Sequence, residues 1–296
     1  LKNTIQKIQP DYIFHLAAQS LVSKSYEEPH LTWETNTIGT LNILESIKSL
    51  DKKCVAILIT SDKCYENVEW IYGYRENDKL GGIDPYSASK AGAEIVINSY
   101  IRSFFKDNQK IRIGVARAGN VIGGGDWAVN RIVPDCIKAW KENKTVYLRS
   151  PNSTRPWQHV LEPLSGYLTL AMHLLNSNNL NGEAFNFGPP IDISPSVEDL
   201  VQQMSIVWDK VQWEIKDTVI SSKFHEANLL KLNCDKALHL LDWRSTWDFD
   251  KTVINTISWY KNYFENNKHE IMFELTLNQI KAFCESARLK DIFWAK

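Results

Sequence analysis

The sequence predicts an α/β fold organised as a doubly wound parallel sheet, and three observations predict it. Short apolar runs of strand length recur at residues 11–18, 55–59 and 111–117. Two stretches of helical spacing, residues 33–50 and 86–105, lie between them. Each connection is too long for a hairpin and suits a helical crossover, so neighbouring strands run the same way.

The first run, Asp11-Tyr12-Ile13-Phe14-His15-Leu16-Ala17-Ala18, reads as a buried strand and its loop. In residues 33–50, Ile43, Ile47 and Leu50 fall on one line with Leu41 and Leu44 beside it. Val55 to Ile59 is apolar throughout, as a fully buried strand requires. In residues 86–105, Ala88, Ala91 and Ile95 share a face. Beyond Arg117 the texture changes. A glycine-rich loop (118–126) precedes a helix over 130–142 with Pro134 near its first turn. A short strand over 145–148, a helix over 162–175 and a strand over 184–188 able to return to the main sheet follow. Two more helices are predicted over 194–207 and 251–264. Nine of the eleven tryptophans lie beyond Arg117, which marks a second, aromatic-rich lobe. Core packing explains most of them. The expected division is residues 1–117, with a return strand near 183–188, against mainly 118–296.

Composition narrows the function. A formal net charge of −1 gives no general attraction to nucleic acid or an acidic membrane, and no run reaches membrane-spanning length. The five cysteines are scattered without a C-x-x-C, so reduced thiols in the cytoplasm are expected, not a disulfide framework or a zinc site. The seven histidines form no H-E-x-x-H pattern, and no metal site is expected.

The chemistry-bearing residues cluster in one stretch. The strand ending at Ile59 delivers Thr60-Ser61-Asp62-Lys63, and Asp84-Pro85-Tyr86-Ser87-Ala88-Ser89-Lys90 opens the next helix. Ligands collect outside the carboxyl ends of strands in open α/β sheets. A Tyr-x-x-x-Lys alone occurs roughly once by chance in a chain this long. Tyr86 is the only tyrosine that satisfies it, and Lys90 lies one turn along the same face. A phenol titrates near about pH 10, so acting as a base at neutral pH needs a fall of about three, roughly 4 kcal/mol. A neighbouring ammonium together with a cationic cofactor could supply it. At the tip of the first strand, Leu16-Ala17-Ala18 leave the backbone open to a cofactor. Asn36 suits either a backbone tie or a cofactor contact. Gly119 to Gly125 could wrap a diphosphate or form a hinge, and Arg155 is a fixed cation suited to a phosphate.

Taken together, these segments resemble the extended short-chain dehydrogenase/reductase family, and within it the nucleoside-diphosphate-sugar 4,6-dehydratases. Thr60-Ser61-Asp62-Lys63-Cys64-Tyr65, Gly119-Asn120-Val121-Ile122-Gly123-Gly124-Gly125-Asp126-Trp127 and Arg155-Pro156-Trp157-Gln158-His159 look most like the branch acting on CDP-glucose. The resemblance implies a Rossmann-like NAD-binding domain and a smaller sugar-nucleotide-binding domain. It also implies Tyr86 as the C4 base, Ser61 on O4, Lys90 on the nicotinamide ribose and Asp62 as the acid for water loss at C6. Leu16, Ala17, Ala18, Asn36, Thr60, Tyr86 and Lys90 match cofactor positions, and Gln19, Asn120, Arg131 and Arg155 match substrate positions. It further implies a cytoplasmic enzyme of deoxysugar and lipopolysaccharide synthesis. The helices over 33–50 and 86–105 would pair in a homodimer or larger homo-oligomer.

Two departures from the family pattern bear on function. Lys63 stands where most of these dehydratases carry the glutamate that removes the C5 proton, and a lysine does so only when neutral. No G-x-G-x-x-G occurs, and the chain opens on Leu1. Roughly sixty residues of a first βαβαβ half are therefore expected upstream, and weak NAD binding is expected of these residues alone. A 4-epimerase or decarboxylase of the same family, or a non-catalytic remnant, are the alternatives.

Overall fold

The computed structural model describes residues 1–148, 150–209, 211–215, 228–266 and 268–296. The three runs form strands β1 (Tyr12–His15), β2 (Cys54–Ile59) and β3 (Ile111–Ala118). They lie in that order, all parallel, and Ala184–Phe187 pairs with β3 as a fourth parallel strand. Ile59 stands opposite Ala116, so Thr60-Ser61-Asp62 and Arg117-Ala118-Gly119 leave the sheet side by side.

Residues of β2 alternate between two cores, as the two-residue pleat dictates. Ala56 and Leu58 enter a cluster with Leu44, Ile47, Ile97 and Phe105 from the crossover helices. Val55 and Ile57 enter another with Leu170, Leu174 and Phe185. A third core, with Ile137, Trp140, Met204 and Ile257 at its centre, supports the residues beyond the sheet. The helix Leu161–Asn176 and the short helix Asp235–Leu241 belong to the sheet's own packing, although they lie far along the chain.

The structure departs from the sequence reading at β1, which was expected to be buried. Tyr12 is 43% exposed and the rest of β1 is half-buried. Among the described residues β1 has a strand neighbour on one side only. The predicted helix over 33–50 is also not uniform. It runs as Pro29–Trp33, a π-helical turn Glu34–Ile38, then Gly39–Ile47. The π turn seats Asn36 and Thr37 against the next helix. Asn36 Nδ2 donates to Ser89 Oγ (2.9 Å) and Thr37 Oγ1 to the Ser89 carbonyl (2.8 Å). Such turns recur at functional sites.

The following helix, Pro85–Tyr100, starts where its sequence says it should. Asp84 accepts hydrogen bonds from the Ser87 N–H (3.0 Å) and hydroxyl (2.6 Å), with Pro85 in the first turn. A second π turn, Ile101–Phe105, completes the predicted span. The helix His269–Leu289 was not anticipated. Only Gln279, Phe283 and Ala287 of its 21 residues are buried, too sparse a stripe to announce itself.

One glycine fixes how the helix Leu161–Asn176 meets the fourth strand. A Cβ on Gly166 would lie 2.3 Å from Phe187 Cδ1, in a ring that is itself fully buried. Gly166→Ala is therefore expected to destabilise the fold by about 1–3 kcal/mol. The check is urea unfolding, with a lower midpoint at unchanged slope.

Candidate active site

Three loops converge at the carboxyl ends of β2 and β3. Ser61 has extended backbone and caps a 3-10 turn, Asp62–Cys64, accepting the Lys63 N–H at 3.2 Å. Its hydroxyl donates to Asp62 Oδ1 (2.9 Å), and Tyr86 lies near enough for Ser61 and the Asp62 charge to act on its phenol. Asp62 Oδ2 accepts from Asn120 Nδ2 (3.3 Å). Ser61, Asp62 and Asn120 thus form one hydrogen-bonded run beside Tyr86, and Tyr86, Ser61 and Asp62 are each at least 92% buried. Phenol, hydroxyl and carboxyl lie together in one water-poor region. The chain reaches it from the Pro85–Tyr100 helix, the tip of β2 and the loop after β3.

Burial sets the protonation states. It pushes the Asp62 carboxyl above its ordinary range, against the opposing effects of Lys63, the Ser61 hydrogen bond and Arg155. A carboxyl held towards its protonated form is suited to give a proton. Tyr86 is likewise pushed up to about 12, by burial first; Ser61 and Arg131 act against it and the Asp62 and Asp84 charges add to it. That is the reverse of the lowering the sequence reading asked for. The protein's own charges do not prepare the phenol as a base. Burial also draws Lys90 down to about 8, opposed by Cys64 and Glu94.

Behind the pocket lies a buried polar network that the sequence reading missed. Glu94 follows Tyr86 and Lys90 on the same helical face, at positions 86, 90 and 94. It accepts Arg117 Nε and Nη2, both at 2.8 Å, in a bidentate pair with both side chains about 95% buried. Burial alone would lower the Arg117 guanidinium, but Glu94 outweighs it and holds it well above the ordinary value. Arg117 Nη1 reaches Tyr65 OH (2.8 Å), and Tyr65 OH donates to Asn186 Oδ1 (2.7 Å) on the fourth strand. Thr60 Oγ1 donates to Glu94 Oε1. The signal available was a carboxylate one turn beyond Lys90 on the face that carries Tyr86.

The remaining sequence candidates divide. Asn36 is a backbone tie: it accepts the Gln19 N–H (2.8 Å) and donates to the Gln19 carbonyl (3.0 Å). Gln19 donates to the Leu21 carbonyl and Thr32 Oγ1 and accepts the Leu21 N–H. Thr60 spends its hydroxyl on Glu94. Arg131 bridges Asp126 (2.9 Å) and Ser20 (2.9 Å). Arg155 is buried, donates to the Thr154 carbonyl (2.8 Å), and its charge reaches Asp62. Lys63 is half-buried beside Asp62. The glycine run packs closely instead of wrapping a ligand: a Cβ on Gly119 would meet Asp62 Oδ2 at 1.8 Å, and one on Gly124 would meet Trp259 at 2.1 Å.

A nicotinamide fits the residues at the strand tips. Leu16 is 51% exposed there, and Ala17 and Ala18 present no side chain beyond a methyl. Lys90 is buried, and its one hydrogen-bond partner among the described residues is the Ile59 carbonyl at 3.5 Å. That leaves ammonium donors for a ribose. Among the described residues no group of three His, Cys, Asp or Glu side chains could hold a metal.

The comparisons with known proteins bear on the family and the fold. The model of the family described as GDP-mannose 4,6 dehydratase matches residues 1–256. A CDP-glucose 4,6-dehydratase of Salmonella typhimurium is 43% identical over 266 residues, covering 88% of this chain and 73% of that protein. A UDP-glucose 4-epimerase of Mycoplasma pneumoniae is 26% identical over 276 residues, covering 89% of this chain and 80% of that protein. Among solved structures, DesIV, a dTDP-glucose 4,6-dehydratase from Streptomyces venezuelae with NAD and TYD bound, superposes with a TM-score of 0.71. It is 21% identical, covering 90% of this chain and 76% of that one. The fold is the Rossmann-like α/β class. The chain belongs to the GDP-mannose 4,6 dehydratase family, within the extended short-chain dehydrogenases/reductases that its motifs resemble.

Removing Arg117 alone would strand a buried carboxylate. Arg117→Met is expected to cost about 3–5 kcal/mol, and Glu94→Leu added to it should recover part of that loss. Urea unfolding of the two variants measures the difference.

Proposed function

We propose that this chain dehydrates CDP-glucose to CDP-4-keto-6-deoxyglucose with NAD. The reading is carried by the closeness of Tyr86 to the hydrogen-bonded Ser61–Asp62 pair, which sets a phenol near a carboxyl at the tip of β2. Its support from relatives is the 43% identity to a CDP-glucose 4,6-dehydratase. When bound, the nicotinamide supplies hydride transfer away from C4 and back to C6, and its positive ring lowers the Tyr86 phenol.

The chain's own residues do the rest. Leu16, Ala17 and Ala18 give it room, Asn36 fixes the Gln19 loop beside it, and Lys90 holds its ribose. Ser61 hydrogen-bonds the sugar O4 while Tyr86 takes the O4 proton. The resulting ketone acidifies C5–H. Lys63, half-buried beside Asp62, takes that proton, and the C–H electrons become the C5=C6 bond. Asp62 gives its proton to O6 as the C6–O bond breaks, so water leaves. Arg155 and Arg131 bring positive charge to the diphosphate. Residues 1–117 with the fourth strand hold the cofactor and mainly residues 118–296 the sugar nucleotide. Exposed apolar side chains on the crossover helices, Trp33, Ile38, Ile95 and Phe104, support a homodimer through that face. A role in the cytoplasm, in lipopolysaccharide deoxysugar synthesis, follows from the product. No helix among the described residues is long and apolar enough to cross a membrane.

With NAD and CDP-glucose the product should be lighter by one water and absorb in alkali as a keto sugar. Tyr86→Phe should lower kcat by at least about 100-fold. A product of unchanged mass with inverted C4 would instead make the chain an epimerase. For Lys63, the expected result is loss of C5 exchange with deuterated water in Lys63→Ala; undiminished exchange would assign the base elsewhere.

A further inference from the structure

Asp62 is held by more than its neighbours along β2. The loop after β3 presses on it from the other side: Gly119 lies so close that an added Cβ would sit 1.8 Å from Oδ2. Asn120, in left-handed backbone at φ 49°, donates to the same oxygen. Something must fix this loop, because a glycine followed by a left-handed residue has little conformational preference of its own.

Gln158 does so twice. Its backbone N–H donates to the Asn120 carbonyl (3.2 Å). Its side-chain Nε2 donates to the Gly119 carbonyl (3.1 Å) and to the Phe187 carbonyl (2.8 Å) at the end of the fourth strand. Gln158 is 2% exposed, so these bonds form away from competing water. The buried glutamine amide thus ties Gly119 to the edge of the sheet, while the Gln158 backbone N–H holds Asn120. Asparagine is a methylene too short to span the two carbonyls, and glutamate would set an acceptor against acceptors.

We propose that Gln158 is a positioning residue for Asp62, clasping the Gly119–Asn120 peptide so that the carboxyl faces the C6 oxygen of the substrate. This rests on the dehydratase reading given above. It makes a specific claim: the clasp serves proton delivery to the leaving oxygen, and leaves the steps at C4 and C5 alone. Gln158→Met keeps the length and bulk of the side chain and removes its donors. Gly119→Ala attacks the same contact from the opposite side.

The test compares CDP-glucose with CDP-6-deoxy-6-fluoroglucose on the full chain with NAD. From CDP-glucose, O6 must gain a proton as the C6–O bond breaks, and water leaves. From the fluoro analogue the C6–F bonding pair departs with fluoride, so no proton is needed, while oxidation at C4 and proton loss at C5 are common to both. Each variant should lower kcat on CDP-glucose by about 10–100-fold, as loss of general-acid help does. Turnover of the fluoro analogue, read as fluoride release, should stay within about twofold of the parent. Equal loss on both substrates, in either variant, would show a merely structural clasp and overturn the proposal, as would no loss on either. If the parent chain forms no keto sugar from CDP-glucose, the dehydratase reading fails instead, which is a separate result.

Discussion

A carboxylate and a guanidinium, Glu94 and Arg117, meet through two 2.8 Å hydrogen bonds in the interior of this protein. Burying two charges is costly, and the pair compensates only because its geometry is bidentate and further hydrogen bonds support both partners. Arg117 Nη1 donates to Tyr65 OH and the Glu76 carbonyl, and Thr60 Oγ1 donates to Glu94. The consequence is mechanical. The pair joins the helix that carries Tyr86 and Lys90 to the tips of β2 and β3, where Ser61 and the Gly119 loop begin. A slip of one helical turn, or of one residue in strand register, would break both hydrogen bonds at once.

That constraint makes the pocket a single unit. Ser61 donates to Asp62 and lies near Tyr86, and so stands between a group suited to O4 and one suited to O6. Burial gives the two ends complementary tendencies. The carboxyl is held towards its protonated form, ready to release a proton. The phenol is held high by the same burial, and its activation belongs to the positive ring that Lys90 is placed to seat. A site with these tendencies is matched to elimination, because it holds an acid where a 4-epimerase needs none.

Much of this was legible in the sequence, and the reasons are physical. Continuous apolar runs of strand length, separated by helical spacing, leave little besides a parallel sheet. Asp84-Pro85 announces a helix start through capping chemistry that local sequence fixes. The burial of Ser61 and Asp62 was legible because an apolar strand feeds straight into them, and that of Tyr86 and Lys90 because they share one face of the next helix. What was hidden depends on contacts far apart in the chain. Asn36 reaches Gln19 and Ser89, Glu94 reaches Arg117, and Gln158 reaches Gly119, and no local pattern encodes those pairings. The helix His269–Leu289 was missed because it buries so little of itself.

The claim at the centre is that one locked pocket acts on both C4 and C6 of the same hexose. Turnover of CDP-glucose carrying deuterium at C4, followed by NMR of the product, tests it most directly. The account predicts a 4-keto sugar with that deuterium on the C6 methyl of the same molecule. Deuterium still at C4 in a sugar that has kept its 6-hydroxyl would contradict it.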